Sequence, residues 1–180
     1  MTIRPGRMQH SYVSYTGLFI LLAALVFLTA CNVSYLEKFG EFDAQQGNYE
    51  EAIKDYTKAI RYAPRDPAPL VSRGYVYQKM GRHDEAIADY TKAIQLTPTD
   101  AELYLIRGLA YSLKGLNDQA ILDYSKAIAI DPRNADAYFN RAQSYEAKNM
   151  NDQALEDYKV AARLNHPRAQ GVLMGRKISW

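Results

Sequence analysis

Ala52-Ile53-Lys54-Asp55-Tyr56-Thr57-Lys58-Ala59-Ile60 returns 34 residues later as Ala86-Ile87-Ala88-Asp89-Tyr90-Thr91-Lys92-Ala93-Ile94, and again as Ala120-Ile121-Leu122-Asp123-Tyr124-Ser125-Lys126-Ala127-Ile128. A fourth, altered copy, Ala154-Leu155-Glu156-Asp157-Tyr158-Lys159-Val160-Ala161-Ala162, keeps the same spacing. A fixed period of this length decides the architecture before any single element is read. Each copy is one supersecondary unit that must bury its apolar side on its neighbours.

Numbering each unit from Val33, Pro67, Ala101 and Ala135 gives four units, 33–66, 67–100, 101–134 and 135–168, whose columns are small, aromatic or turn-forming at fixed places. Position 8 is Gly40, Gly74, Gly108 and Ala142. Position 20 is Ala52, Ala86, Ala120 and Ala154, and position 27 is Ala59, Ala93, Ala127 and Ala161. Small residues at those places allow two helices to approach closely. Tyr56, Tyr90, Tyr124 and Tyr158 at position 24, with Tyr77, Tyr111 and Tyr145 at position 11, fill the space that the small ones leave. Gly47, Gly81, Gly115 and Asn149 fall where a first helix must end in a left-handed conformation. Glu50, Asp84, Asp118 and Asp152 then open a second helix, where an acid suits the positive end of the dipole. Pro64, Pro98 and Pro132 end that helix, and Pro167 comes one place late.

These columns resemble the tetratricopeptide repeat. The resemblance covers residues 33–168 and implies an all-α solenoid of four helix-turn-helix hairpins. The tail 169–180 is expected to cap the open end with Val172, Leu173, Met174 and Ile178; Trp180 serves either that cap or a partner. The first unit departs from the pattern: Asp43 stands where the others have tyrosine, and its first helix is expected to start two residues after Cys31. Position 7, commonly Leu in the family, is Arg73, Arg107 and Arg141. With Asp55, Asp89, Asp123 and Asp157 at position 23, the expectation is a ladder of structural ion pairs.

The resemblance also implies where binding occurs. Hairpins of this family line a concave wall with positions 2, 5, 9, 12 and 13 of each first helix. Carried over, the protein-binding groove is expected at Val71, Tyr75, Gln78, Leu105, Leu109, Phe139 and Gln143, with an acidic far end at Asp136 and Glu146. Relatives that hold the carboxylate tail of heat-shock chaperones use Lys, Arg and Asn at such positions. Here Glu37, Val71, Tyr75, Leu105, Leu109 and Phe139 occupy them, so an apolar or amphipathic protein segment is the expected ligand.

Upstream, residues 1–16 carry Arg4, Arg7 and no acid, and an apolar run from Gly17 to Ala30 follows. Its fourteen residues fall short of the ~20 that span a hydrocarbon core and match the core of an export signal. Leu28-Thr29-Ala30-Cys31 resembles the lipobox of bacterial lipoproteins, which implies a signal peptide over 1–30, cleavage before Cys31 and acylation of its thiol, with 31–32 as the lipidated start. The alternative is an uncleaved signal anchor from about Tyr12 to Val33. Either reading puts the rest of the chain on a membrane of the cell envelope, facing the periplasm. In enterobacteria-like sorting, Asn32, not being Asp, favours the outer membrane over the inner one.

Of 22 basic and 20 acidic residues only Arg4 and Arg7 fall before Cys31, so removal of the signal leaves a neutral chain with its charges interleaved. Such a chain lacks the one-sided basic field that nucleic acids require. One cysteine in 180 residues forms no internal disulfide. His10, His83 and His166 stand apart from any triad or metal spacing, so neither an enzyme, a cofactor, a metal nor a small-molecule substrate is expected. The expected function is a membrane-anchored scaffold or adaptor, with self-association of the repeats or an inner-membrane assembly factor as alternatives.

Overall fold

The computed structural model describes the backbone from Tyr15 to Trp180 and the side chains from Cys31 onward. The export signal expected over 1–30 therefore lies outside the described side chains, and its first fourteen residues lie outside the described backbone. Nine helices are described, and no strand. They are α1 (Tyr15–Gln46), α2 (Tyr49–Tyr62), α3 (Ala68–Lys79), α4 (His83–Leu96), α5 (Ala101–Leu113), α6 (Asn117–Ile130), α7 (Ala135–Ala147), α8 (Asn151–Arg163) and α9 (Pro167–Gly175). Odd-numbered helices α1 to α7 are the first helices of the four hairpins, even-numbered ones the second. Each helix packs on the next along the chain, which makes an all-α repeat solenoid closed by α9.

The turns follow from the columns. Gly47, Gly81 and Gly115 have φ of 83°, 73° and 75°, and Asn149 takes the same left-handed place at 61°. In every hairpin the amide just after the left-handed residue reaches back to the carbonyl at position 11. The bonds are Asn48 N to Asp43 O at 2.8 Å, Arg82 N to Tyr77 O at 2.8 Å, Leu116 N to Tyr111 O at 2.9 Å and Met150 N to Tyr145 O at 2.9 Å. This is the Schellman arrangement, which satisfies carbonyls that the helix end would otherwise leave bare.

Within each hairpin the position-24 tyrosine lies against the position-8 glycine. A Cβ on Gly74 would come within 2.6 Å of the Tyr90 ring, and one on Gly108 within 2.7 Å of Tyr124. Tyr90, Tyr124 and Tyr158 are at most 1% exposed, so these rings are the keystones of the three later hairpins.

The ion-pair ladder has three rungs of one design. The Arg73 guanidinium donates through Nε and Nη2 to both oxygens of Asp89, each at 2.7 Å, and through Nη1 to Thr57 Oγ1 at 2.8 Å. Arg107 does the same to Asp123 and Thr91, and Arg141 to Asp157 and Ser125. Each arginine thus clamps the second helix of its own hairpin and that of the one before. Bonding to the aspartate holds the arginines above their ordinary range; for Arg141 burial opposes this as the larger influence. The first hairpin has no such clamp: Phe39 occupies position 7, and Asp55 pairs with Lys58 instead.

The first helix differs from expectation. It does not begin after Cys31 but runs without a break from Tyr15, taking Cys31 into its interior. Between Thr29 and Val33 there is neither Pro nor Gly to end a helix. The helix is docked through Val33, 7% exposed, and through Gly40 against Tyr56. Among the described residues no helix is long and apolar enough to cross a membrane.

At the other end, α9 starts at Pro167 and buries Ala169 and Leu173 completely. His166 caps it: Nδ1 accepts from the Ala169 amide at 3.1 Å, which leaves Nε2 to donate to Asp136 Oδ1 at 3.1 Å. Met174 and Trp180 stay exposed, at 61% and 40%.

Two stability outcomes follow. Asp123→Ala strands the Arg107 guanidinium in a part-buried site and should cost about 3–5 kcal/mol, whereas Arg107→Met with Asp123→Leu should recover most of it, read by urea unfolding. Ser144 Oγ is buried with no partner among the described residues, at a column that is Val76 and Ala110 in the preceding units. Ser144→Ala should therefore raise the thermal midpoint, by the equivalent of roughly 1 kcal/mol.

Candidate functional site

The first helices of successive hairpins stand side by side, so their equivalent positions form one wall. A cavity of about 670 Å³ opens along it at the amino-terminal half of the solenoid. Glu37, Glu41, Ala44 and Gln45 of α1 stand at positions 5, 9, 12 and 13, and Val71, Tyr75 and Lys79 of α3 at positions 5, 9 and 13. Glu102 and Ile106 of α5 close the far side, and Tyr49, Tyr56 and Tyr90 reach in from the second helices.

Four tyrosines and three carboxylates give the cavity its chemistry. Among the described residues Glu37, Glu41 and Glu102 take part in no ion pair. Burial raises the Glu37 carboxyl above its usual range, with help from Asp66. Burial also raises Glu102, aided by Asp100 and Asp136. The single ammonium, Lys79, lies 5.1 Å from the centre of the Tyr75 ring. The cavity is therefore anionic at its rim and aromatic on its floor, and two of its acids are held in a state that an incoming cation would relieve.

The expected groove residues are scattered over the molecule. Val71 and Tyr75 line the cavity, and Tyr75 is 54% exposed. Gln78 accepts from the Tyr90 hydroxyl at 3.2 Å and so serves the hairpin core. Leu109 and Gln143 face outward farther along the wall. Leu105 is packed into the core at 9% exposure.

Phe139 requires a correction, because it is not open to a ligand. It is 3% exposed, stacked at 4.3 Å on the His166 ring, with the Arg168 guanidinium 4.5 Å from its centre. The cap fills the groove at this hairpin. Pro167, one place late after a histidine able to cap, was the signal for it. The wall of α1 is visible in the sequence reading only at Glu37, because the first unit matches the repeat columns least well, yet Glu41, Ala44 and Gln45 hold the same register as the rest.

A family model described as TPR repeat matches residues 40–81, 74–115 and 108–149, and a second, described as tetratricopeptide repeat, matches 135–165. The chain belongs to the tetratricopeptide repeat family. Among solved structures it is similar to a crystal structure of MamA, at 28% identity and a TM-score of 0.71, covering 77% of this chain and 81% of that one. The first tetratricopeptide repeat domain of Spaghetti (RPAP3), bound to the HSP90 peptide SRMEEVD, is 25% identical with a TM-score of 0.62, over 66% of this chain and 94% of that one. MamA from Desulfovibrio magneticus, at 22% identity and a TM-score of 0.69 over 74% and 75% of the two chains, shares the fold. No curated protein matches. Tetratricopeptide repeat proteins are in general non-enzymatic scaffolds for protein interaction.

The raised carboxyls make a pH signature. An acid whose folded value lies above its unfolded one costs stability once pH rises through the folded value, and costs none below the ordinary value of 4.5. Glu37→Gln with Glu102→Gln should therefore raise the thermal midpoint near neutral pH and leave it unchanged well below 4.5.

Proposed function

We propose that this protein is a membrane-attached scaffold of the bacterial cell envelope that holds an extended or helical segment of a partner protein in the groove between α1, α3 and α5. The observation that carries the reading is the open cavity built from equivalent positions of α1 and α3 and closed by α5, with aromatic rings to bury apolar side chains and carboxylates at the rim.

The ligand class follows from the rim. The RPAP3 domain holds SRMEEVD, a peptide rich in acids. An acidic segment in this groove would meet Glu37, Glu41 and Glu102, three like charges against one ammonium. An amphipathic segment with Lys or Arg among its apolar residues meets the opposite: its cations pair with the carboxylates and stack on Tyr49 or Tyr75. The apolar ligand expected from the sequence is thus narrowed to an apolar and basic one.

Attachment to the membrane rests on the Arg-bearing head, the apolar run and Leu28-Thr29-Ala30-Cys31. In this reading acylated Cys31 holds the scaffold to the periplasmic face of a membrane, the outer one by the identity of residue 32. Cys31 is exposed, as lipid transfer requires. The partner then arrives at, or belongs to, the membrane.

Two experiments test these parts separately. A labelled amphipathic peptide carrying Leu and Lys should bind at least tenfold tighter than its Leu and Glu twin, and Glu37→Gln with Glu102→Gln should erase the difference; equal binding by both twins sinks the ligand class. Cys31→Ala should leave the chain unprocessed and, with its signal still attached, shift it from the outer-membrane to the inner-membrane fraction. If that variant matures and fractionates like the wild type, the chain is not a lipoprotein and the signal-anchor alternative takes its place.

A further inference from the structure

One face of α1 is covered by no helix among the described residues. Cys31, Tyr35, Lys38, Phe39 and Phe42 are all exposed, the three rings at 59%, 46% and 58%. At ~100° per residue these five fall within an arc of about 100° on the helix. Tyr35 and Phe39 have ring centres 4.4 Å apart, so the rings form one patch.

The repeat register gives this patch its meaning. Tyr35 and Phe42 occupy positions 3 and 10, which in the later first helices are Pro69, Leu103 and Ala137, and Val76, Ala110 and Ser144, all buried. Phe39 replaces the clamping arginine. These positions are where one hairpin receives the hairpin before it, and on α1 they carry large rings with no helix stacked on them among the described residues. A terminal repeat that leaves its outer face to water makes that face polar; this one does not.

The charges name the occupant. Lys38 is the one charged residue in the arc, while Glu37 and Glu41 turn to the cavity on the other side of α1. The arc begins at Cys31 itself, the residue whose acylation would bring this end of α1 to the lipid. Three rings with a cation and no anion are what a helix presents to an anionic lipid surface. A two-fold contact with a second copy, centred on the rings, would instead bring Lys38 close to its own equivalent.

We propose that this face of α1 lies on the membrane, with Tyr35, Phe39 and Phe42 seated at the headgroup and acyl boundary and Lys38 among anionic headgroups, so that the groove opens away from the bilayer. The proposal deepens the membrane-attachment reading and rests on it.

The test uses the full chain in phosphatidylethanolamine and phosphatidylglycerol vesicles containing brominated lipid. A fluorophore is placed on Ser34→Cys or Gln46→Cys beside the rings, and on Lys54→Cys or Gln119→Cys as exposed sites elsewhere. Cys31 is blocked by its acyl chain or, where the mass shows none, replaced by Ser. Flotation with the vesicles reads attachment, and bromine quenching reads which face touches lipid. Quenching several-fold stronger at residues 34 and 46 than at 54 and 119 is the expected result. Combined substitution Tyr35→Ser, Phe39→Ser and Phe42→Ser should lower that quenching while the thermal midpoint holds. Equal quenching at all four sites in a chain that floats overturns the orientation and leaves attachment standing. A chain that does not float overturns both.

Discussion

The bidentate pair between Arg107 and Asp123 sets the geometry on which the solenoid depends. Its guanidinium lies between two second helices, donating to Asp123 on one and to Thr91 on the other, and the same contacts recur at Arg73 and Arg141. Apolar packing alone tolerates sliding of one helix on another, because burial is non-directional. A planar fork bonded to both oxygens of one carboxylate and to a hydroxyl on the neighbouring hairpin fixes separation and rotation together. Hydrophobic burial supplies most of the stability; the clamp specifies the angle at which each hairpin follows the last. That angle sets positions 5, 9 and 13 of α3 beside those of α1 along one wall of the cavity.

Inside that frame each hairpin is closed by a ring against a small residue. The pairing is sterically strict where it is glycine, since a methyl group at Gly74 or Gly108 would enter the opposing tyrosine. The fourth hairpin carries Ala142 opposite Tyr158 and answers with a different hydroxyl partner, Glu146 Oε2 at 2.6 Å. Glu146 is in turn bonded to Arg176 beyond α9, so the altered keystone is supported from the cap.

The fold could be read from the sequence because its determinants are local and repeated. Glycine or asparagine at a left-handed turn, alanine at a close approach, tyrosine in the space between and the Arg to Asp ladder are each visible as columns, and the structure has each of them. The candidate site was legible only in part. Groove membership depends on register, so Val71 and Tyr75 line the cavity. Openness depends on what lies above, so Phe139 lies under His166 although its register is that of a groove residue. Most of the charge of the site comes from α1, where Asp43 and Phe39 break the columns around Glu37 and Glu41. Repetition reveals what the units share, and the distinct chemistry of this groove lies in the unit that shares least.

The missing clamp in the first hairpin has a mechanical consequence. In the three later hairpins a bonded guanidinium ties the first helix to the second; α1 is held to α2 by packing around Tyr56 and Gly40. A pull transmitted from the amino terminus therefore meets, between α1 and α2, a seam held by packing alone, ahead of any rung of the ladder. That seam is also one side of the cavity, since Glu37, Glu41, Ala44 and Gln45 leave with α1. A load carried through α1 would thus bear on a wall of the groove before it reached any bonded guanidinium of the stack.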